Sequence, residues 1–257
     1  MSAEPAMLRI EGLRKNYGAV AALQGVDIEV RRGEVMGLIG PNGSGKSTLF
    51  DCCTGLQRSD SGRVLLKGVD ITGWPMNRIA REGRFLRSFQ KTVVFPTLDS
   101  EENLVLAGQM SSFPNVLSTF WVGPSAKKRI KALRERAKEL IEVTGLARVA
   151  HLPAGNMSGG QQKLLQFASM LMPEPELILL DEPLAGINPV LIEKVIQCIE
   201  HANQKLGVTF VVIEHNTDVL MNLSHRVVVL HQGAKLADAT PEEVVRNPEV
   251  IEAYLGG

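Results

Sequence analysis

Neither sign of charge is in excess, since 28 Lys and Arg balance 28 Asp and Glu across 257 residues. No long-range field therefore recruits nucleic acid or an anionic bilayer to the chain. Cysteine is scarce. Cys52, Cys53 and Cys198 have neither an even count nor metal-ligand spacing, which argues against a disulfide framework and predicts small buried apolar residues in a reducing compartment. Long hydrophobic runs are missing as well: "LILL" and "FVVI" are strand-sized, far short of the roughly 18 apolar residues a membrane span needs. The opening "MSAEPAMLRI" has no basic region followed by an apolar stretch, so no secretory leader is expected and any membrane role has to come through a partner. Repeats, long linkers and low-complexity tracts are absent too, which favours one bilobed domain over two independent ones.

What is present suffices for a large core, with 44% apolar residues. Alternation in "LRIEGLRKNY" and "AALQGVDIEVRRGE" predicts half-buried antiparallel strands, followed by a buried strand, "VMGLIG". From about residue 98 to 172 the pattern turns helical, including "SAKKRIKALRERAKELIEVTG", which a glycine stops. After Pro173 the strand "LILLDEP", the helix "PVLIEKVIQCIEHANQKLG" and the strands "VTFVVIEH" and "RVVVLHQG" alternate as βαβ units do. The expectation is an α/β parallel core, with residues about 1–97 and 173–257, split by a helical insertion at about 98–172.

Within that core "GPNGSGKST", Gly40, Pro41, Asn42, Gly43, Ser44, Gly45, Lys46, Ser47 and Thr48, fits the phosphate-loop pattern between a buried strand and the helix "STLFDCCTG". Glycines let successive N–H groups converge on phosphate oxygens. Lys46 is placed to reach the β- and γ-phosphates, and Ser47 offers a hydroxyl to Mg²⁺. ATP or GTP binding follows. Asp181, ending a hydrophobic strand, supplies a second ligand for Mg²⁺, and Glu182 beside it a base or water-orienting group, which turns binding into hydrolysis. A second anion device stands at "NMSGGQQK", where Ser158, Gly159, Gly160 and Gln161 precede a helix whose N-terminal N–H groups are bared.

The order of "GPNGSGKST", the lone Gln90 of "SFQ", "MSGGQQ", "LILLDEP" and "IEH" resembles the ATP-binding cassette family over almost the whole chain. The resemblance implies a P-loop NTPase core with an antiparallel β subdomain and an inserted helical subdomain, hydrolysing ATP with Mg²⁺. It implies that Tyr17 stacks on adenine, that Gln90 contacts Mg²⁺ and the attacking water, and that His215 hydrogen-bonds the γ-phosphate. It also answers why two phosphate devices coexist: two cassettes pack head to tail, and the Ser158–Gly160 corner of one, with Gln161, completes the site of the other. Met157 stands where the family usually has Leu, an exchange of similar volume.

"LAGINP", with Asn188 where most cassettes carry Asp, together with "IEHNTDVL" and the tail "TPEEVVRNPEVIEAYLGG", is similar to the ATPases of branched-chain amino acid importers, in particular the larger of their two cassettes. The partners so implied are a second cassette, two transmembrane permeases and, indirectly, an external substrate-binding protein, with no nucleic acid. The implied location is peripheral, on the cytoplasmic face of the inner membrane. Urea importers and lipopolysaccharide exporters share parts of the pattern, so substrate is not encoded here; a soluble non-transport cassette is the remaining alternative. The apolar "KTVVFPTL" after Gln90 is the expected permease contact. Arg78, Arg81, Arg84 and Arg87, three residues apart, read as a solvated helix face. His151, His201, His225 and His231 fit no motif and read as solvated or structural, and Trp74 and Trp121 carry no assignment.

Overall fold

The computed structural model describes residues 6–88, 92–112 and 124–255. Gln90 and Trp121 lie outside them. The chain forms two compact units, one from Met1–Ser88, Glu176–Pro183 and Asn203–Gly257, the other from Phe89–Pro175 and Leu184–Ala202.

The first unit holds two sheets. Strands β1 (Leu8–Tyr17), β2 (Val20–Val30), β4 (Ser61–Leu66) and β5 (Val69–Asp70) make an antiparallel sheet in the order β2-β1-β4-β5. Their alternating burial, as in Leu8 and Ile10 inward against Arg9 outward, is what a sheet with one wet face requires. The other sheet, β10-β9-β3-β8-β7-β6, joins β3 (Val35–Ile39), β6 (Phe85–Arg87), β7 (Leu177–Asp181), β8 (Thr209–Ile213), β9 (Arg226–His231) and β10 (Ala234–Ala239), parallel throughout except for the β9–β10 hairpin. Every residue of β3, β7 and β8 is buried, because a parallel strand covered on both faces has no polar side. The core brings together residues of both sheets, among them Leu8, Ile28, Met36, Leu179 and Val211, with Phe50 of the helix α1 (Lys46–Cys53).

The second unit is helical: α3 (Ser100–Ser112), α4 (Pro124–Val143) and α5 (Gly159–Leu171), with most of α6 (Pro189–Leu206). Helix α4 stops where the glycine signal placed its end. Gly145 takes φ 69, Leu146 N–H bonds Ile141 O at 3.0 Å and Gly145 N–H bonds Glu142 O at 3.0 Å, the paired bonds of a glycine-terminated helix. Where α3 meets α4 a Cβ on Gly108 would stand 2.6 Å from Leu133 Cδ2, so the small residue permits the close approach. Met157 is 6% exposed and fills its apolar site as the volume argument requires. All three cysteines are buried and free; burial raises the Cys52 thiol to about 11.

The arginine series needs correction. Helix α2 is only Met76–Gly83; Arg84 sits in left-handed backbone at φ 53, and Arg87 belongs to β6. A three-residue spacing imitates one helix face, yet the chain turns within the series, and Arg87 points inward with 8% of its side chain exposed. Trp74 gains a role as well: it packs against the core, and the Arg78 guanidinium lies 3.5 Å from its ring centroid. His225 proves structural, its Nδ1 accepting from Val35 N–H at 2.9 Å.

Phe210, fully buried in the middle of the parallel sheet, tests that core. Phe210→Ala is expected to lower unfolding free energy by about 3–5 kcal/mol, read as a lower urea midpoint with an unchanged slope.

Candidate active site

Strand β3 delivers the chain into the phosphate loop through Gly40. A Cβ there would lie 2.1 Å from the backbone oxygen of Leu230, and φ is 152, so only glycine brings the loop this close to β9. Gly45, the N-cap of α1, repeats the constraint at φ 103, with Ala22 O 2.5 Å from a would-be Cβ. No side chain caps α1, so the N–H groups of its first turn remain for an anion.

Lys46 folds back over the loop, its Nζ donating to Gly40 O at 2.7 Å, Pro41 O at 2.9 Å and Ser44 Oγ at 3.3 Å. Burial lowers its pKa, while the charges of Glu182 and Asp181 pull in the opposite direction. Above the loop opens a cavity of about 400 Å³, lined by Asn42–Thr48, by Val20, Ala21, Ala22 and Gln24 of β2, and by Glu182, Ile213, His215 and Gln232. Gln24 fastens β2 to the loop after β9: its Nε2 donates to Gln232 O and its N–H to Gly233 O, each at 2.7 Å. Tyr17 does not line this cavity. It is 45% exposed at the end of β1, paired across the hairpin with Val20, and Lys15 Nζ lies 5.5 Å from its ring centroid.

The two acids beyond β7 occupy different environments. Asp181 is 7% exposed, and its N–H donates to Ser88 Oγ at 2.9 Å while Arg87 holds its carboxylate at 2.8 Å. Glu182 turns into left-handed backbone at φ 50, its N–H fastened to Ile213 O at 2.9 Å. This reversal aims the side chain into the cavity, where Oε1 meets His215 Nε2 at 2.9 Å. An acid beside an imidazole and across from a lysine can move a proton near an anion. Asp181 is not among the cavity-lining groups; of its neighbours, Arg87 was expected on a solvated helix face and Ser88 was not singled out, although their position just before "FQ" was an available signal.

Ser158–Gln161 belong to the second unit. Ser158 is the N-cap of α5, its Oγ accepting from Gln161 N–H at 3.3 Å, and Gln161 Oε1 accepts from Ser158 N–H at 2.9 Å. This reciprocal capping commits both polar side chains locally. A Cβ on Gly159 would meet nothing within 4 Å, whereas one on Gly160 would strike Leu191 Cδ1 at 2.1 Å. Lys163 donates to the Ala185 carbonyl, tying α5 to the segment that follows Glu182.

Lys46→Ala is expected to weaken nucleotide affinity roughly 10- to 100-fold, the loss of charge-assisted hydrogen bonds, measured by calorimetric titration with a non-hydrolysable ATP analogue.

Comparison with known proteins places this geometry. The family model described as ABC transporter matches residues 23–185, and that described as branched-chain amino acid ATP-binding cassette transporter matches residues 234–257. The chain is 36% identical to the high-affinity branched-chain amino acid transport ATP-binding protein BraF of Pseudomonas aeruginosa, covering 97% of this chain and 98% of that one. It is 35% identical, with the same coverage, to the corresponding protein LivG of Escherichia coli. Among solved structures, the ADP conformation of an ATP-binding cassette of an ABC transporter superposes with a TM-score of 0.82 at 32% identity, over 98% of this chain and 99% of that one. A dimeric post-hydrolysis state of another cassette, bound to ADP and Pi, gives 0.74 at 25% identity, over 91% and 99%. The chain belongs to the ATP-binding cassette family and is an ATPase of the ABC transporter class.

Proposed function

We propose that this chain is the ATP-hydrolysing subunit of a membrane importer for branched-chain amino acids. The observation that carries the reading is the convergence of the phosphate loop, Glu182 and His215 on one cavity, in a chain that matches importer cassettes to its C-terminal segment. ATP lies with its phosphates on the loop N–H groups of Gly43 and of Gly45 to Thr48 and on the Lys46 ammonium, which leaves Gly40 and Pro41 for the phosphate oxygens; the Ser44 N–H stays with Pro41 O. Glu182 accepts a proton from the attacking water, and His215, bonded to Glu182 in the resting arrangement, reaches the γ-phosphate. Tyr17, exposed at the hairpin end beside the cavity-lining Val20, offers its face to adenine.

The donor set fits Mg²⁺. Among the described residues no three His, Cys, Asp or Glu form a cage, while a hydroxyl at Ser47 and a carboxylate at Asp181 are hard oxygen donors of the kind that share this ion with phosphate and water. When bound, the ion neutralises charge between the β- and γ-phosphates. Gln90, outside the described residues, belongs to the same proposal.

Cassettes dimerise, and the uncapped N–H groups of Gly159 and Gly160 at the start of α5 serve a γ-phosphate held by a second cassette. Because Ser158 and Gln161 already satisfy each other, the contact there rests on backbone and dipole, with the Ser158 hydroxyl as an added donor. Nucleotide bound by both subunits favours the closed pair, and its cleavage releases them. The chain reaches the membrane through permeases, since no helix of the described residues is long and apolar enough to cross it. Val93 and Phe95, 67% and 44% exposed, form an apolar face for a permease helix. Asn103 holds that loop, donating to the Phe95, Leu98 and Asp99 carbonyls and accepting from Phe95 N–H.

Two measurements decide the matter. Glu182→Gln is expected to cut ATP turnover by about 10²- to 10⁴-fold while retaining ATP and eluting as a dimer; wild-type turnover would remove Glu182 from the role of base. Proteoliposomes carrying the chain with its permeases and a second cassette are expected to accumulate leucine on ATP addition, and urea uptake without leucine uptake would move the chain to another substrate class.

A further inference from the structure

Arg87 is the last residue of β6, in parallel register with Leu179 of β7. One end of its guanidinium fork, Nη1, holds Asp51 Oδ1. The other, Nη2, holds Asp181 Oδ2 at 2.8 Å. The side chains of Arg87 and Asp181 are each 8% exposed and that of Asp51 23%, so water screens the trio little. Phe50 closes the back, its ring centroid 5.6 Å from the guanidinium carbon.

The placement of the partners is what matters. Asp51 and Phe50 stand on α1, the helix that opens with Lys46 and Ser47. Asp181, the other described cation ligand named above, ends β7. A planar fork bonded to one carboxylate on each element fixes the spacing between them and the direction in which Asp181 presents its remaining oxygen. Ser88 completes the hold: its hydroxyl accepts from Asp181 N–H at 2.9 Å, and its own N–H donates to Leu179 O at 2.8 Å. Residues 87 and 88 thus grip Asp181 by both side chain and backbone. The two carboxylates raise the Arg87 pKa against the opposing effect of burial, which is the largest single influence on it.

We propose that Arg87 is a positioning residue for the divalent-cation site, a fork that sets the Asp181 carboxylate at a fixed reach from the Ser47 end of α1. The proposal rests on the reading of Asp181 as a cation ligand. It concerns geometry rather than charge alone, so the informative change keeps the charge and removes the fork.

Arg87→Lys does this, because one nitrogen with rotatable donors does not hold two carboxylates at the fixed spacing of a planar fork. The probe is Mn²⁺, titrated in the presence of saturating non-hydrolysable ATP analogue and followed by electron paramagnetic resonance of free Mn²⁺. Arg87→Lys is expected to raise the Mn²⁺ midpoint at least 5-fold, and to lower kcat with the KM for ATP kept, while nucleotide binding in EDTA stays at the wild-type value. A wild-type Mn²⁺ midpoint in folded Arg87→Lys overturns the proposal and leaves the trio a packing device. If Arg87→Lys does not fold, Asp51→Asn reads the same bridge from its α1 end; a midpoint unchanged there overturns the proposal equally. Asp181→Asn separates the two levels: should Mn²⁺ bind that variant as it binds wild type, the cation reading of Asp181 fails, whatever Arg87 does.

Discussion

The site depends on a half-buried ammonium turning a strand end inside out. With Lys46 Nζ drawing the Gly40 and Pro41 carbonyls and the Ser44 hydroxyl toward itself, the loop turns these acceptors inward and leaves the N–H groups at the start of α1 with no side-chain cap. Backbone that carries donors and acceptors in equal number becomes a surface of one polarity only by such sorting. The closeness of Gly40 to Leu230 O and of Gly45 to Ala22 O fixes both ends of the loop, so the arrangement exists before any anion arrives. Preorganised donors need no rearrangement at the moment of use, which is where their advantage over water lies.

Much of this was legible in the residues. The phosphate loop, the two acids and the glycine that ends α4 each carry a local physical reason: a backbone conformation, a strand end, a left-handed cap. The parallel strands were legible as well, because burial on both faces leaves an unbroken apolar run. What could not be read was anything set by register between distant strands. Arg87 acquires its partners only because β6 lies beside β7 in the register Arg87↔Leu179, and nothing in the local spacing of four arginines reports that the helix stops after Gly83. Gln24 and Ser88 are of the same kind. Each is a polar residue whose hydrogen bonds close a loop contributed by another part of the chain, and each looks unremarkable in isolation.

The capping box of α5 bears on the second glycine motif. Ser158 and Gln161 satisfy two of the groups a helix start leaves open, while the glycines between them carry no side chain to obstruct an approaching anion. Gly160 owes its identity to packing, with Leu191 occupying the space a methyl would need. Motif glycines therefore answer to different demands even when adjacent, Gly159 to access and Gly160 to the close seat of α6 on α5.

The chain leaves the first compact unit for the second between Pro183 and Leu184, two bonds in sequence from the carboxylate that faces the cavity. Glu182 is also held in a backbone region costly for a residue with a side chain, and Lys163 grips the carbonyl of Ala185 on the other side of the crossing. The residues that follow Glu182 thus run from a strained backbone reversal to a carbonyl held by a lysine. Pro183 and Leu184 lie between two fixed points, and a change in either is felt at both.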